Sequence, residues 1–240
     1  RMYIAGAQMA RVDVFGTTGL QTDFLTDSSF NTVAIDRENN ILYAASNFDI
    51  TKAQLDGTGE VSSWLTWDDL IPSAFNIQGL AVGPDGFVYA AQAPGVTKID
   101  PDTRSVVAQF DLPTYSGFGD GISDVMVKDN AVFVLNLGAD GDNKAIYKLN
   151  RDLTVIDSYG TITTPGEADQ PGEFVVPLRF VATLNRKITI AESEGNGFGF
   201  ARIVSIDDMD GNGWQTYGTA GSGGLSVGQF QLYSYSYGGA

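Results

Sequence analysis

Thr32-Val33-Ala34-Ile35-Asp36, followed by Ile41-Leu42-Tyr43-Ala44-Ala45, returns as Gly79-Leu80-Ala81-Val82-Gly83 followed by Phe87-Val88-Tyr89-Ala90-Ala91. The two tyrosines are 46 positions apart, and so are Lys52 and Lys98 downstream of them. The same register continues at Val125-Met126-Val127-Lys128 with Val132-Phe133-Val134, and at Phe180-Val181-Ala182 with Lys187-Ile188-Thr189-Ile190, which makes four visible copies. Each copy reads as an apolar strand, a polar turn such as Gly83-Pro84-Asp85-Gly86, a second apolar strand, and a third strand ending in Lys-x-Asp or a variant of it. A fourth strand follows, of the kind Val61-Ser62-Ser63-Trp64-Leu65 or Val106-Val107-Ala108-Gln109-Phe110. Four short strands in a period of about 40 to 50 residues predict a β-propeller, with one repeat per blade.

A fifth copy is divided between the two ends. Met2-Tyr3-Ile4-Ala5 matches Leu42-Tyr43-Ala44-Ala45 without a strand before it, while Gly228-Gln229-Phe230 parallels Gly172-Glu173-Phe174 and leads into residues able to form that missing strand. The expectation is an all-β ring of about five four-stranded blades, with six as the alternative, closed by residues 231–240 pairing with 1–5 and forming a single domain over residues 1–240. No helical period interrupts the strands, although Trp67-Asp68-Asp69-Leu70-Ile71 can form one turn.

The 240 residues are 43% hydrophobic with 29 glycines, a composition that suits many short strands joined by tight turns and is too apolar for a disordered chain. With 14 basic against 29 acidic side chains the formal charge is −15, a field that repels phosphate backbones and anionic lipid, so neither nucleic acid nor membrane insertion is expected. The chain has no cysteine and no histidine. Disulfides, thiolate or imidazole nucleophile systems and thiolate- or imidazole-held metals are thereby excluded, and any chemistry must run on carboxylates, amides and hard metal ions.

Pro171-Gly172-Glu173-Phe174, then Ile188-Thr189-Ile190-Ala191-Glu192, then Ala201-Arg202-Ile203-Val204-Ser205-Ile206-Asp207 and finally Gly228-Gln229-Phe230 resemble an NHL repeat and the opening of the next. In that family a Gly-x-Phe turn leads into the innermost strand and an Arg-Ile pair lies on the third. Lys52 and Lys98 hold the third strand elsewhere in this chain without the Arg. The resemblance implies a propeller of the kind found in exported and lipid-anchored bacterial proteins, mostly binding platforms, with distant similarity to gluconolactonase-type hydrolases.

Three groups of residues are candidates for a site. The first is the set just after each second strand, Asn47, Gln92, Asn136, Glu192 and Glu194, which a propeller brings around one mouth of its channel. With Asp120 near the start of an inner strand, Asn136 and Glu192 are the ligands that a lactonase-like enzyme would use to hold a divalent ion and polarise a carbonyl. The second is Asp140-Gly141-Asp142-Asn143, whose hard oxygens suit calcium or a sugar and equally suit a solvated loop. The third is Asp208-Met209-Asp210-Gly211-Asn212-Gly213, where Asp208, Asp210 and Asn212 fit the first half of a calcium loop. Its twelfth position is Thr219 rather than Glu, and a tight hairpin between third and fourth strands explains the same residues. Phe48, Phe118, Phe198 and Phe200 fall between strands, as partner contacts or as covers for blade edges, whereas Trp64, Trp67 and Trp214 read as packing between blades.

Together these features lead to a non-enzymatic, monomeric binding propeller, periplasmic or on the bacterial cell surface, with a protein or carbohydrate ligand and no cofactor. A lipid anchor would lie outside residues 1–240. The competing reading is a calcium-assisted hydrolase or lyase of the lactonase-like type.

Overall fold

The repeated Leu-Tyr-Ala-Ala and Val-Tyr-Ala-Ala segments are apolar at every position rather than at alternate ones, which a strand requires only when both of its faces are covered. A computed structural model of the protein describes residues 2–6, 11–16, 19–25, 30–56, 58–70, 76–112, 121–138, 144–163, 170–181, 187–193 and 201–218. Sheet one consists of β1 (Met2–Gly6), β2 (Arg11–Gly16) and β3 (Gly19–Leu25), and sheet two of β4 (Thr32–Asp36), β5 (Ile41–Ala45), β6 (Asp49–Gln54) and β7 (Val61–Thr66). Sheet three holds β8 (Ile77–Val82), β9 (Val88–Gln92), β10 (Gly95–Asp100) and β11 (Ser105–Asp111). Sheet four holds β12 (Ile122–Lys128), β13 (Ala131–Asn136), β14 (Lys144–Leu149), β15 (Val155–Ile162) and the two-residue β16 (Glu173–Phe174). Sheet five holds β17 (Val176–Phe180), β18 (Ile188–Ser193), β19 (Ala201–Ile206) and β20 (Gln215–Tyr217). Strands follow chain order within every sheet and run antiparallel, except that β16 lies parallel along β15.

The chain is therefore an all-β propeller, and among the described residues it has four blades of four strands, sheets two to five, with β16 an added edge on sheet four, where the repeat predicts five or six. Sheet one has three strands among the described residues, and its β1 aligns with the second strand of the other repeats. The segment expected to complete it, 231–240, and with it the expected ring closure, lies outside the described residues. The turn expected after β7 is a single 3₁₀ turn at Trp67–Asp69, where Asp69 accepts from the Thr66 N–H at 2.9 Å.

Alternation along the second strands divides their side chains between two cores. Tyr43 and Ala45 of β5 face Ile77, Leu80, Val88 and Ala90 of sheet three, while Leu42 and Ala44 face Leu25 and Phe30 on the other side. One blade on, Val88 and Ala90 belong to that first core, whereas Tyr89 and Ala91 face Val125, Val132 and Val134 of sheet four. Sheets four and five meet through Leu135, Ile146, Phe174, Ile190 and Val204. Small alanines beside the tyrosines let adjacent sheets approach, and each ring buries a large apolar area, roughly 2 kcal/mol apiece by transfer energies. Trp64 lies 5.2 Å from the Tyr43 ring, and Trp214 lies 5.4 Å from Phe174, so both indoles pack between blades.

Turn chemistry agrees with this meander. The β12–β13 connection is Asp129-Asn130 with φ of 47° and 66°, the two left-handed residues of a tight hairpin turn, a conformation that Asp and Asn tolerate better than other side chains.

A polar clasp joins sheets three and four. Asp85, in the β8–β9 turn, accepts from Lys98 Nζ of β10 at 3.1 Å, from Arg151 Nη1 of the β14–β15 turn at 2.8 Å and from the Tyr89 hydroxyl at 3.1 Å. Lys98 Nζ also donates to the Arg151 carbonyl at 3.0 Å and lies 4.2 Å from the centre of the Phe87 ring. Burial alone would raise the Asp85 carboxyl, but the Lys98 and Arg151 contacts hold it below the ordinary carboxylate value. Removing Asp85 takes from three donors the acceptor they share, so Asp85→Ala lowers unfolding free energy by roughly 2 kcal/mol in denaturant titration, and Asp85→Asn recovers part of the loss.

Candidate functional site

The residues that close the second strands are held inside the blades. Gln92, Asn136 and Glu192 have no exposed surface. Asn136 donates through Nδ2 to the Lys144 carbonyl at 2.8 Å and accepts at Oδ1 from the Gly138 N–H at 3.2 Å, which ties the end of β13 to the start of β14. Glu192 accepts at Oε1 from the Val175 N–H at 2.7 Å and at Oε2 from Arg202 Nε at 3.2 Å. Arg202, on β19, reaches on to the Glu173 carbonyl at 2.6 Å, so the pair joins β18, β19 and the chain entering β17. Burial pushes the Glu192 carboxyl up, and Arg202 with the Val175 N–H offsets only part of that. Asn47 lies in the β5–β6 connection, where its Oδ1 accepts from Asn31 Nδ2 and its carbonyl accepts from the Ile77 N–H at 3.1 Å.

Asp120, Asp140, Asp142 and Glu194 lie outside the described residues, as do Phe118, Phe198 and Phe200. The 208–213 segment is a hairpin loop between β19 and β20. Asp208 Oδ1 accepts from the N–H groups of Asp210 at 3.0 Å and Asn212 at 3.2 Å, and its Oδ2 accepts from Asn212 Nδ2 at 2.9 Å. Gly211 and Gly213 carry φ of 78° and 65°. These bonds, that from the Asn212 side chain foremost, hold the Asp208 carboxyl below its usual value. Donors occupy both of its oxygens, and among the described residues no three acidic side chains come together where a metal ion could sit.

The inner strands carry a polar set that the repeat pattern does not announce. β8, β12 and β17 each contain a bulge at the same place, after Ile77, Ile122 and Pro177, which makes Gly79, Asp124 and Arg179 equivalent positions on three successive blades. Gly79 lies so close to Asp124 that a Cβ there would run into the Asp124 carboxylate. Asp124 accepts from the Val125 N–H at 2.9 Å and from the Phe180 N–H of the next blade at 2.8 Å. Ser123 Oγ donates to the Pro177 carbonyl at 2.7 Å, and Arg179 Nη1 donates back to the Ser123 carbonyl. Burial raises the Asp124 carboxyl to about 6 against the opposing pull of Arg179 and the two N–H groups. Chemically this is a carboxyl able to exchange a proton near neutrality, held rigidly between two inner strands.

No family model matches the sequence, and no curated protein matches it. Solved structures do. The chain superposes on a Bacteroides thetaiotaomicron protein of unknown function with a TM-score of 0.65 at 13% identity, over 91% of this chain and 55% of the other. It superposes on the WD40 β-propeller domain of Doa1 with 0.58 at 16% identity, over 92% and 66%. A third likeness is to the extracellular domain of a putative one-component system of B. thetaiotaomicron, 0.55 at 11% identity, over 90% and 26%. The shared property is the propeller fold. The chain spans two thirds or less of each of these three structures.

Two measurements check the site's electrostatics. Because the folded-state value of Asp124 lies above the ordinary 3.8, the fold favours its protonated form. The cost of ionising it is therefore absent below the unfolded value and fully present above the folded one, so its contribution to stability falls as pH rises between about 4 and 6. Carbonyl-carbon NMR titration of Asp124 is expected to give a midpoint near 6, and Arg179→Met to move it higher. Glu192→Gln leaves Arg202 charged and buried without its partner, with an expected loss of about 3 kcal/mol in denaturant titration.

Proposed function

We propose that the chain is a non-enzymatic, exported binding propeller that engages a protein partner through the blade end where the second strands finish. The observation that carries this reading is Phe48, in the β5–β6 connection, with 64% of its surface exposed beside Asn47 and Asn31. A large aromatic ring held out by a short, hydrogen-bonded connection is a typical anchor for a partner, since it gives apolar contact at little conformational cost. The Ser46 hydroxyl accepts from the N–H groups of Phe48 and Asp49, each at 3.1 Å, which fixes the connection that presents the ring. Likeness to the extracellular domain of that B. thetaiotaomicron system supports an exported location.

The calcium-assisted hydrolase draws its ligands from Glu192, Asn136 and Asp120, and the first two already serve Arg202, Val175, Lys144 and Gly138. That favours the binding reading over the enzymatic one.

The experiment sets wild-type protein beside Phe48→Ala on arrays of extracellular proteins and of glycans. Binding to a protein that weakens roughly ten-fold or more in Phe48→Ala, at an unchanged melting temperature, is expected. Binding to glycans alone, or binding indifferent to Phe48, overturns the proposal. Thermal unfolding in millimolar calcium and in chelator separates the two classes, because a ligand specific for the native state must raise stability by mass action. The binding reading expects no shift, and a calcium shift abolished by Glu192→Gln restores the hydrolase.

A further inference from the structure

Sheets two and three repeat one another position for position, so a feature present in one and missing from the other marks a difference in use. In sheet three the side chains of Tyr89 and Lys98 converge on the Asp85 carboxylate. Their counterparts in sheet two, 46 positions earlier, are Tyr43, Lys52 and Asn39. Asn39 is neutral and turned away, with its Nδ2 donating to Asp36 Oδ2 at 2.8 Å. The adjoining turn differs as well. Asn150 and Asp100 start equivalent turns, each accepting from the N–H two residues on, and the residue after Asn150 is Arg151 whereas the residue after Asp100 is Pro101. Both groups that fill the space in sheet three are therefore missing from sheet two.

The donors remain. The Tyr43 side chain is 1% exposed, and its hydroxyl has no hydrogen-bond partner among the described residues. Lys52 Nζ sits 5.8 Å from the centre of the Tyr43 ring and 5.4 Å from that of Trp64, and it makes no ion pair among the described residues. Between sheets two and three there is a cleft of about 230 Å³, lined among others by Lys52, Gln54, Trp64, Asp102 and Arg104. A buried hydroxyl without an acceptor is left uncompensated for its lost hydration, and beside it Lys52 holds its ammonium over two rings with no counter-ion among the described residues. An arrangement of that kind is complete only when an acceptor enters.

We propose that this cleft binds a carboxylate group, which takes the place that Asp85 holds in sheet three. Lys52 and Arg104 of the cleft lining supply two cations, with Trp64 and Pro101 as the apolar wall, and the buried Tyr43 hydroxyl donates as that of Tyr89 does to Asp85 in sheet three. Lys52 and Arg104 against Asp102 leave the charged lining with one net positive charge inside a chain of −15. Burial, with the carboxylates of Asp36 and Asp102, pushes the Tyr43 hydroxyl upward, so it stays a donor at neutral pH. The cleft suits the carboxylate of a small organic acid or of an acidic side chain. It lies at the opposite end of β6 from Phe48, since successive connections of an antiparallel meander alternate ends, and so it stands independently of the partner site proposed above.

The test is a chemical-shift titration of the labelled protein with sodium acetate, against sodium chloride at equal ionic strength, and in parallel with the neutral-ended peptide acetyl-Gly-Asp-Gly-amide. Saturable shifts confined to residues 52–54 and 101–104 are expected, weakened roughly ten-fold or more by Lys52→Met and by Tyr43→Phe, as for the loss of a charge-assisted hydrogen bond. A peptide that binds as tightly as acetate assigns the cleft to acidic side chains, and one that fails to bind assigns it to free acids. Without acetate, Tyr43→Phe is expected to melt no lower than wild type, because the hydroxyl it removes is idle in the empty protein. Shifts that match the chloride control, an acetate affinity unchanged in Lys52→Met, or a lowered melting temperature in Tyr43→Phe would overturn the proposal.

Discussion

Tyr43 and Tyr89 occupy the centres of strands whose two faces belong to different cores, and this double burial is the constraint on which the rest of the molecule depends. A four-stranded sheet in water can bury at most one face by itself. In the propeller sheets two, three and four are each covered by the one before and the one after, so their second strands become apolar while their fourth strands stay wet, with Val106, Val107, Val155 and Ile156 exposed. The same requirement explains why the cores divide by alternation along β5 and β9. It also suits the two alanines that follow the tyrosine in sheets two and three, where small side chains let the neighbouring sheets close up.

Double burial leaves little room for polar groups, and those that remain are tied down. At the ends of the second strands, Asn136 and Glu192 satisfy backbone groups that would otherwise be stranded as the chain turns. Along the inner strands, Ser123, Asp124 and Arg179 join one blade to the next where the pleat is interrupted by a bulge. Equivalent positions therefore carry different side chains that do similar structural work. Where one repeat omits its partner, as sheet two omits a carboxylate beside Lys52, the omission stands out against its neighbour.

Much of the fold was legible in the sequence because the period is carried by core residues, which tolerate little drift. Tyr43 and Tyr89 keep their register since both pack in the same way, and the strands named from the first three copies are observed, whereas the first strand of the fourth, read at Phe180-Val181-Ala182, runs instead as β17 over Val176–Phe180. The blade count was less legible, because it hangs on how the two ends meet, and that is a long-range fact no local pattern encodes. Gln92, Asn136 and Glu192 close their second strands where the repeat puts them, but a repeat does not tell that their side chains are buried within the blades. Glu192 looks like a ligand until Arg202 is seen beside it, and only the pairing of β18 with β19 brings the two together. Asp124 did leave a signal, as a charge within the apolar run Ile122–Val127, but an alignment starting at Val125 steps past it. The Asp85 clasp left none, since Arg151 enters from the next repeat.

The short parallel strand β16 also bears on how the molecule answers force. It lies on the outer edge of sheet four, and after one residue, Val175, the chain becomes β17, the innermost strand of sheet five. The polypeptide thus crosses from rim to hub as a taut strap, pinned at the rim by the Thr161 and Thr163 N–H groups and at the hub end by Glu192 and Arg202. Tension applied to sheet five is shared with the outer edge of sheet four, so these two blades bear load as one mechanical unit.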